Sequence, residues 1–376
     1  MGSDLVVAAG WADLVKPSLL GLDPYRPGES VQELRERHGL EEVVKLNWNE
    51  GLFGPFPGVL EAAAAELENA WMYPERAYND LREAVAGWLE LPPERIVPGH
   101  GIQSLVTTLA AAAVLPGDDV VLPRPTYGLY AQVLAAAGAR LELVPVRGDD
   151  LALDLDRMAA AARRARAKLV VVCDPNNPTG LQLTRAEWDE FVSALPEGCI
   201  AVVDEAYVEY VDPAARLGRE RDASDGRPVI LLRTFSKIFG LAGLRLGYAI
   251  VHEELEPYLD VVQEPFNVNR VALAAGKASL ARADLVEERR RQAVEARELL
   301  ASRLAELGAR VVPSQANFVL AEVPVDDAVL ADRLAARGFL IRPGSEFGLP
   351  GYIRVTAAPI PVVERFAAVL ADELGG

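Results

Sequence analysis

The chain has 376 residues, 51% hydrophobic and 25% charged, enough for two domains that each bury a core and too apolar for a disordered segment. A formal charge of -17 and a pI near 4.8 argue against a nucleic-acid partner, whose phosphates demand a basic surface. An anionic ligand must therefore meet a local positive pocket.

No apolar run reaches the roughly 18 residues of a membrane span, so no membrane partner is expected. LVVAAGWA, from Leu5, follows Asp4 without a basic segment before it, so a secretory leader is not expected either. Cys173 and Cys199 each border an apolar, strand-like run and read as buried, reduced thiols, which implies a cytoplasmic location. His38, His100 and His252 are scattered, and neither cysteine has a C-x-x-C partner, so no metal is expected.

The first 55 or so residues, with Pro17, Pro24, Pro27, Pro55 and Pro57, read as mostly extended or loop-like, an arm packing on another element or subunit. From about Leu60 to Val262 short β-rich runs alternate with Ala-rich amphipathic segments, the pattern of a mostly parallel sheet covered by helices. The strand candidates are DVVLP ending at Pro123, LELVPV at Val146, KLVVVC at Cys173, IAVVD at Asp204, VILLRT at Thr234 and GYAIV at Val251. Several are apolar throughout, as strands buried on both faces are. SLVTTLAAAAVL, YGLYAQVLAAAG and DLDRMAAAARRARA read as intervening helices.

The long stretch from Asp284 to Gly308 is an amphipathic helix whose Arg and Glu residues form a solvated face. After Gly308, RVVPSQANFVLAEV and GYIRVTA, separated by DDAVLADRLAARG and followed by PVVERFAAVLADELG, read as a small α+β domain. The expected division is 1–55 as an N-terminal arm and part of the small domain, 56–265 as the large domain and 266–376 as the small C-terminal domain.

In an open parallel sheet ligands gather beyond the carboxyl ends of the strands, so the residues following each strand carry the functional signal. After DVVLP comes Tyr127, able to stack on a flat ring. After KLVVVC comes DPNNPTG, whose Asn177 can donate to a ring hydroxyl. DEAY supplies Asp204, suited to a protonated pyridine nitrogen, and Tyr207, suited to a phenolic oxygen. After VILLRT comes TFSKIFGLAGLRLGY, which sets Lys237 between Ser236 and the apolar pair Ile238 and Phe239. Partial desolvation lowers an ammonium pKa and favours Schiff-base chemistry, while Ser236 and Arg245 can grip a phosphate. An aldehyde anchor, a pyridinium partner, phenolic-oxygen contacts and a phosphate clamp are the parts of a pyridoxal phosphate site.

With these motifs the chain resembles, over nearly its whole length, the fold-type I pyridoxal phosphate aminotransferases of the class I and II group. That resemblance implies an α/β large domain with a seven-stranded, mostly parallel sheet flanked by helices. KLNWNEGLFGPFP, MYPE around Tyr73, PFNVN from Pro265 and RPGSEFGLPGYIRVT are most similar to the histidinol-phosphate aminotransferases. Carried over by motif, Lys237 forms the Schiff base, Asp204 holds the pyridinium, Tyr127 stacks on the ring, and Asn177 and Tyr207 hold the phenolic oxygen. Ser236 and Arg245 grip the phosphate, and Tyr73 reaches the cofactor phosphate of a neighbouring subunit, so the resemblance implies a homodimer.

Asn49 and Glu50 are implied near the substrate, as is Asn317. Arg354 binds the substrate α-carboxylate, because a guanidinium fork matches a carboxylate, and Arg342 is a second anion contact. One stretch departs from the family pattern. Where relatives have a Gly-x-Gly or Gly-Ala turn followed by acidic residues, this chain has PGHGIQSL, in which the N–H groups of Gly101, Ile102 and Gln103 at a helix start can still cradle a phosphate. The implied reaction is transamination between histidinol phosphate and 2-oxoglutarate. An aromatic amino acid aminotransferase shares most of the motifs, a phosphothreonine-type decarboxylase is more remote, and a non-catalytic cofactor-binding regulator would need a DNA-binding module that the chain lacks.

Overall fold

The computed structural model describes residues 10–24, 30–148, 150–224 and 227–375. Most of the apolar run from Leu5, read above for a leader, and Pro27 lie outside the described residues. The strands are β1 (Val44–Lys45), β2 (Ile96–Gly99), β3 (Asp119–Arg124), β4 (Arg140–Pro145), β5 (Leu169–Cys173), β6 (Ile200–Asp204), β7 (Val229–Thr234), β8 (Gly247–Ile250), β9 (Arg310–Val312), β10 (Phe318–Glu322), β11 (Phe339–Leu340), β12 (Arg342–Pro343) and β13 (Tyr352–Thr356).

Seven of them form one sheet in the order β2-β8-β7-β6-β5-β3-β4. β8 runs antiparallel to both β2 and β7, and every other pair is parallel. Strands β5 and β7 are buried at every position, which explains why LVVVC and VILLRT show no alternation: both faces are covered by helices. β2 escaped the sequence reading because IVPG is only four residues long and carries a proline, tolerated at the sheet edge.

A second, four-stranded antiparallel sheet has the order β12-β13-β10-β9, and β1 pairs in parallel with β11. The apolar side chains fall into two main cores. The larger lies around the seven-stranded sheet and includes Val268, Ala272, Ala275, Leu280, Val286 and Ala293, beyond the boundary at 266 suggested by the sequence. The reason is packing: the helix Arg270–Leu280 lies against the helices Val59–Glu66 and Asn79–Leu89 of the larger body. The smaller core joins Leu300 and Leu304 to β10, β13 and the terminal helix Ile360–Gly375, and takes in Leu46 from the N-terminal segment.

That N-terminal segment is less extended than its prolines suggest. Val31–His38 is a helix, opened by Ser30 and Glu33, whose side chains and backbone amides bond reciprocally at 3.2 and 2.8 Å, and closed by Gly39 at φ 63°. Its only buried residue is Leu34, which packs with Ala335 and Leu340, so apolar periodicity was too thin to reveal it. The capping signal S-x-x-E was nonetheless present. The charged helix Val286–Glu306 also differs from a purely solvated face: Arg297 turns inward to donate to the Ala316 carbonyl at 3.1 Å, and Arg289 to that of Gly54 at 2.6 Å.

Candidate active site

Two glycines bring the N-terminal segment onto the loop after β7. A Cβ on Gly51 would lie 2.1 Å from the Lys237 carbonyl oxygen, and one on Gly240, at φ 69°, would lie 2.5 Å from the Gly54 carbonyl. Only bare backbone fits on both sides of this contact. It delivers the carbonyls of Trp48 and Asn49 to Lys237 Nζ, at 3.2 and 2.7 Å. Burial first, then the positive charge of Arg354, holds the Lys237 ammonium down to about 8. Nζ also lies 5.6 Å from the centre of the Tyr207 ring.

Around Lys237 opens a cavity of about 1000 Å³, lined by Asn49, Ile102, Gln103, Tyr127, Asn177, Asp204, Tyr207, Ser236, Arg245, Arg342 and Arg354 among others. Asp204, at the end of β6, is 3% exposed; its Oδ1 accepts the Ala206 N–H at 2.9 Å and its Oδ2 the hydroxyl of Tyr130. Burial raises its carboxyl to about 6, with the Tyr130 hydrogen bond pulling the other way. The Tyr207 hydroxyl receives Asn49 Nδ2 at 3.1 Å, and burial raises its phenol pKa.

Arg354, on β13, reaches across from the smaller sheet. Its guanidinium donates to Asn177 Oδ1 and to the Asn47 carbonyl, each at 2.5 Å. Arg342 is its cross-strand neighbour on β12 and forms an ion pair with Glu346 at 2.5 Å. Two arginines side by side give a strongly acidic chain the local positive surface that an anionic substrate requires.

The helix Gly101–Ala113 brings its first turn, with Ile102 and Gln103, to the cavity wall, where a helix N-terminus suits an anion. Gly101 has φ 74°, and a Cβ there would come within 2.7 Å of Arg245 Nη2, so the missing side chain lets the guanidinium lie over the helix start. Arg245 is itself left-handed, at φ 55°, and is braced by the Ala242 carbonyl at 3.0 Å. Ser236 Oγ accepts the Thr234 hydroxyl at 2.9 Å. Helix amides, a guanidinium and hydroxyls fit a phosphate, while Lys237 and Asp204 fit the aldehyde and the pyridine nitrogen of the same group, so the residues present match the expected cofactor.

Three expected residues lie outside the cavity wall: Gly101, set against Arg245, together with Asn317 and Tyr73. Asn317 stands behind it, its Nδ2 donating to the carbonyls of Asn49 and Glu50 at 3.1 Å each, and so shapes the segment that meets Lys237. Tyr73 is 79% exposed and stacks on Phe266 at 4.9 Å between centroids. Among the described residues no group of three His, Cys, Asp or Glu is arranged to hold a metal. Both cysteines are buried free thiols.

The structure adds residues that the motifs contained but the sequence reading passed over. Tyr130 lies in the first turn of the helix Leu129–Ala137, three positions after Tyr127 in the loop before it, and the two rings meet edge to face at 5.4 Å. Beneath the site a buried ion cluster links the strand ends: Arg219 pairs with Asp174 and with Glu205 at 3.0 Å, and Arg233 pairs with Glu205 at 2.8 Å and with Glu220. Asp174 follows β5, Glu205 follows β6 and Arg233 belongs to β7, so the cluster ties together the strands that carry Asn177, Asp204 and Lys237. The signal was charge at the ends of otherwise apolar strands: Asp174 and Glu205 just after β5 and β6, and Arg233 next to last in β7.

A sequence profile of aminotransferase class I and II matches residues 41–370. The chain belongs to that family. This aminotransferase is 39% identical over 366 residues to the histidinol-phosphate aminotransferase of Anaeromyxobacter sp. (strain Fw109-5), covering 96% of this chain and 99% of that protein. It is 37% identical to the histidinol-phosphate aminotransferase of Symbiobacterium thermophilum, with the same coverage. The crystal structure of histidinol-phosphate aminotransferase from Sinorhizobium meliloti, in complex with pyridoxal-5'-phosphate, matches with a TM-score of 0.87 at 31% identity, over 96% of this chain and 97% of that one. A Thermus thermophilus aspartate aminotransferase double mutant shares the fold at TM-score 0.80 and 24% identity.

Proposed function

We propose that this aminotransferase uses pyridoxal phosphate to exchange the amino group of histidinol phosphate with the oxo group of 2-oxoglutarate, giving imidazole acetol phosphate and glutamate in histidine biosynthesis. The observation that carries the reading is near-complete coverage by relatives named for this activity, at 33% to 39% identity, together with the cross-strand arginines Arg342 and Arg354, which line the cavity that holds Lys237.

The bound cofactor supplies an electron sink for the carbanion formed at the donor's Cα. Lys237 would anchor it, and its free Nζ would take the Cα proton, a task for which a pKa near 8 suits it. Asp204 would hold the ring nitrogen, Tyr127 would stack on the ring, and Asn177 and Tyr207 would hold the phenolic oxygen. Gly101, Ile102, Gln103, Ser236 and Arg245 would hold the phosphate.

Histidinol phosphate carries a phosphate ester where an amino acid carries its carboxylate. Arg354 therefore serves the anionic group common to both half-reactions, while Arg342 is the additional contact that the larger phosphate calls for and a carboxylate does not, since fork-shaped guanidinium groups bind either anion. Asn49 and Asn317 fix the wall beside them.

The same reading makes the protein a cytoplasmic homodimer with a large cofactor-binding domain and a small C-terminal domain, without nucleic-acid or membrane partners. Supporting the dimer, Trp71, Tyr73 and Val261 are large apolar side chains 79% to 81% exposed, and Tyr73 does not line the cavity around Lys237. Supporting the absence of membrane contact, no described helix is long and apolar enough to cross a membrane. Sedimentation that finds a fully active monomer would contradict the shared site.

Single-turnover half-reactions with histidinol phosphate, phenylalanine, tyrosine and aspartate, followed by cofactor absorbance, test the substrate. Histidinol phosphate should react with the highest kcat/KM. A preference for phenylalanine or tyrosine would instead make this an aromatic amino acid aminotransferase.

A further inference from the structure

Tyr130 lies in the first turn of the helix Leu129–Ala137, three positions after Tyr127 in the preceding loop, and is 1% exposed. The two rings meet edge to face, 5.4 Å between centroids at 83°; both line the cavity, and the Tyr130 hydroxyl reaches Asp204 Oδ2. Since Ala206 N–H occupies Oδ1, each carboxylate oxygen has one donor from the protein.

We propose that Tyr130 is a positioning residue for the transamination, its hydroxyl keeping Asp204 ionised and aimed at the cofactor's ring nitrogen; this rests on the reading that Asp204 pairs with that nitrogen. The argument is one of competing costs. Burial drives Asp204 toward its neutral form, and the largest opposing influence is the hydrogen bond from Tyr130. A neutral carboxyl cannot balance a pyridinium charge, so the donor decides whether the ring stays protonated.

The phenol is suited to the task because burial, followed by the negative charge of Asp204, pushes its own pKa far up, leaving it a proton donor at every working pH. Nor does a thiolate compete for it. Burial also holds the adjacent Cys173 as a thiol, which donates to the Pro175 carbonyl at 3.4 Å. Tyr130 thus acts through Asp204 and need not touch the substrate.

The test loads the enzyme with pyridoxal phosphate labelled with ¹⁵N in the ring and follows that nitrogen by NMR across pH, alongside kcat, KM and melting temperature. Tyr130→Phe keeps the ring volume and removes the donor. It should shift the nitrogen toward its unprotonated signal and lower kcat about tenfold to a hundredfold, the range for a hydrogen bond to a charged group, with KM little changed. Replacing Tyr130 with 3-fluorotyrosine, a more acidic donor, should move the signal the opposite way.

A Tyr130→Phe enzyme whose nitrogen titrates as in the parent, even if it melts earlier, would overturn the inference, as would both variants shifting in one direction. Asp204→Asn separates the two readings. If it moves the nitrogen signal while Tyr130→Phe does not, only the Tyr130 role falls; if it leaves the signal unchanged, the pairing of Asp204 with the nitrogen falls as well.

Discussion

Replacing Glu209 by glutamine should stabilise the protein in a pH-dependent way. Glu209 lies in the short 3-10 turn Val208–Tyr210, just past Tyr207, is 3% exposed, and neither carboxylate oxygen has a hydrogen-bond partner. The nearby Arg216 donates instead to the Glu209 main-chain carbonyl at 3.0 Å, and Arg233 is bonded to Glu205 and Glu220. Burial raises the Glu209 carboxyl from 4.5 to about 7, with Arg233 opposing.

Below the unfolded pKa both states carry the proton and the residue costs nothing. As pH rises through 4.5 the unfolded chain ionises first, so the native state loses stability until the pH passes about 7. The shift corresponds to roughly 3 kcal/mol at about 1.4 kcal/mol per pKa unit. Glutamine keeps the shape and removes the linkage. In urea unfolding of the cofactor-loaded protein, Glu209→Gln and parent should be nearly equal at about pH 4.5, and the variant should be ahead by about 3 kcal/mol at about pH 8. A gap that does not change with pH, or a parent more stable at the alkaline end, would refute the reasoning.

Three other outcomes are expected. Capture of pyridoxal phosphate by the apoprotein should accelerate with rising pH around a midpoint of about 8, because only the neutral Lys237 amine attacks the aldehyde; a midpoint at the ordinary lysine value of 10.5 in stopped-flow absorbance would contradict it. Gly101→Ala, whose Cβ meets Arg245 Nη2 at 2.7 Å, should displace that guanidinium and weaken cofactor binding. A lost charged hydrogen bond implies about tenfold or more in Kd, read by equilibrium titration, and an unchanged Kd would dismiss the clamp. Arg342→Ala should lower kcat/KM for histidinol phosphate by about tenfold to a hundredfold and hardly touch phenylalanine. Equal losses would assign Arg342 to the fold or to its pair with Glu346.

By itself the sequence determined six of the seven strands of the large sheet and the cluster of Lys237, Asp204, Tyr207 and Asn177. Strands covered on both faces must be apolar throughout, and the first polar residues after them stand at the sheet's carboxyl edge, so both are read from local runs. Local signals stopped there. That Arg354 bonds Asn177, 177 positions away, depends on how the smaller sheet docks, and no periodicity encodes it. The carbonyls of Trp48 and Asn49 meet Lys237 because Gly51 and Gly240 allow two backbones to touch, and main-chain oxygens leave no residue type to recognise. The ion cluster of Asp174, Glu205, Arg219 and Arg233, and the bare carboxylate of Glu209, are visible only once burial is known. A charged residue in a sequence carries no mark of its solvent, and burial alone turns it into a partner that must be matched or a proton that must be held.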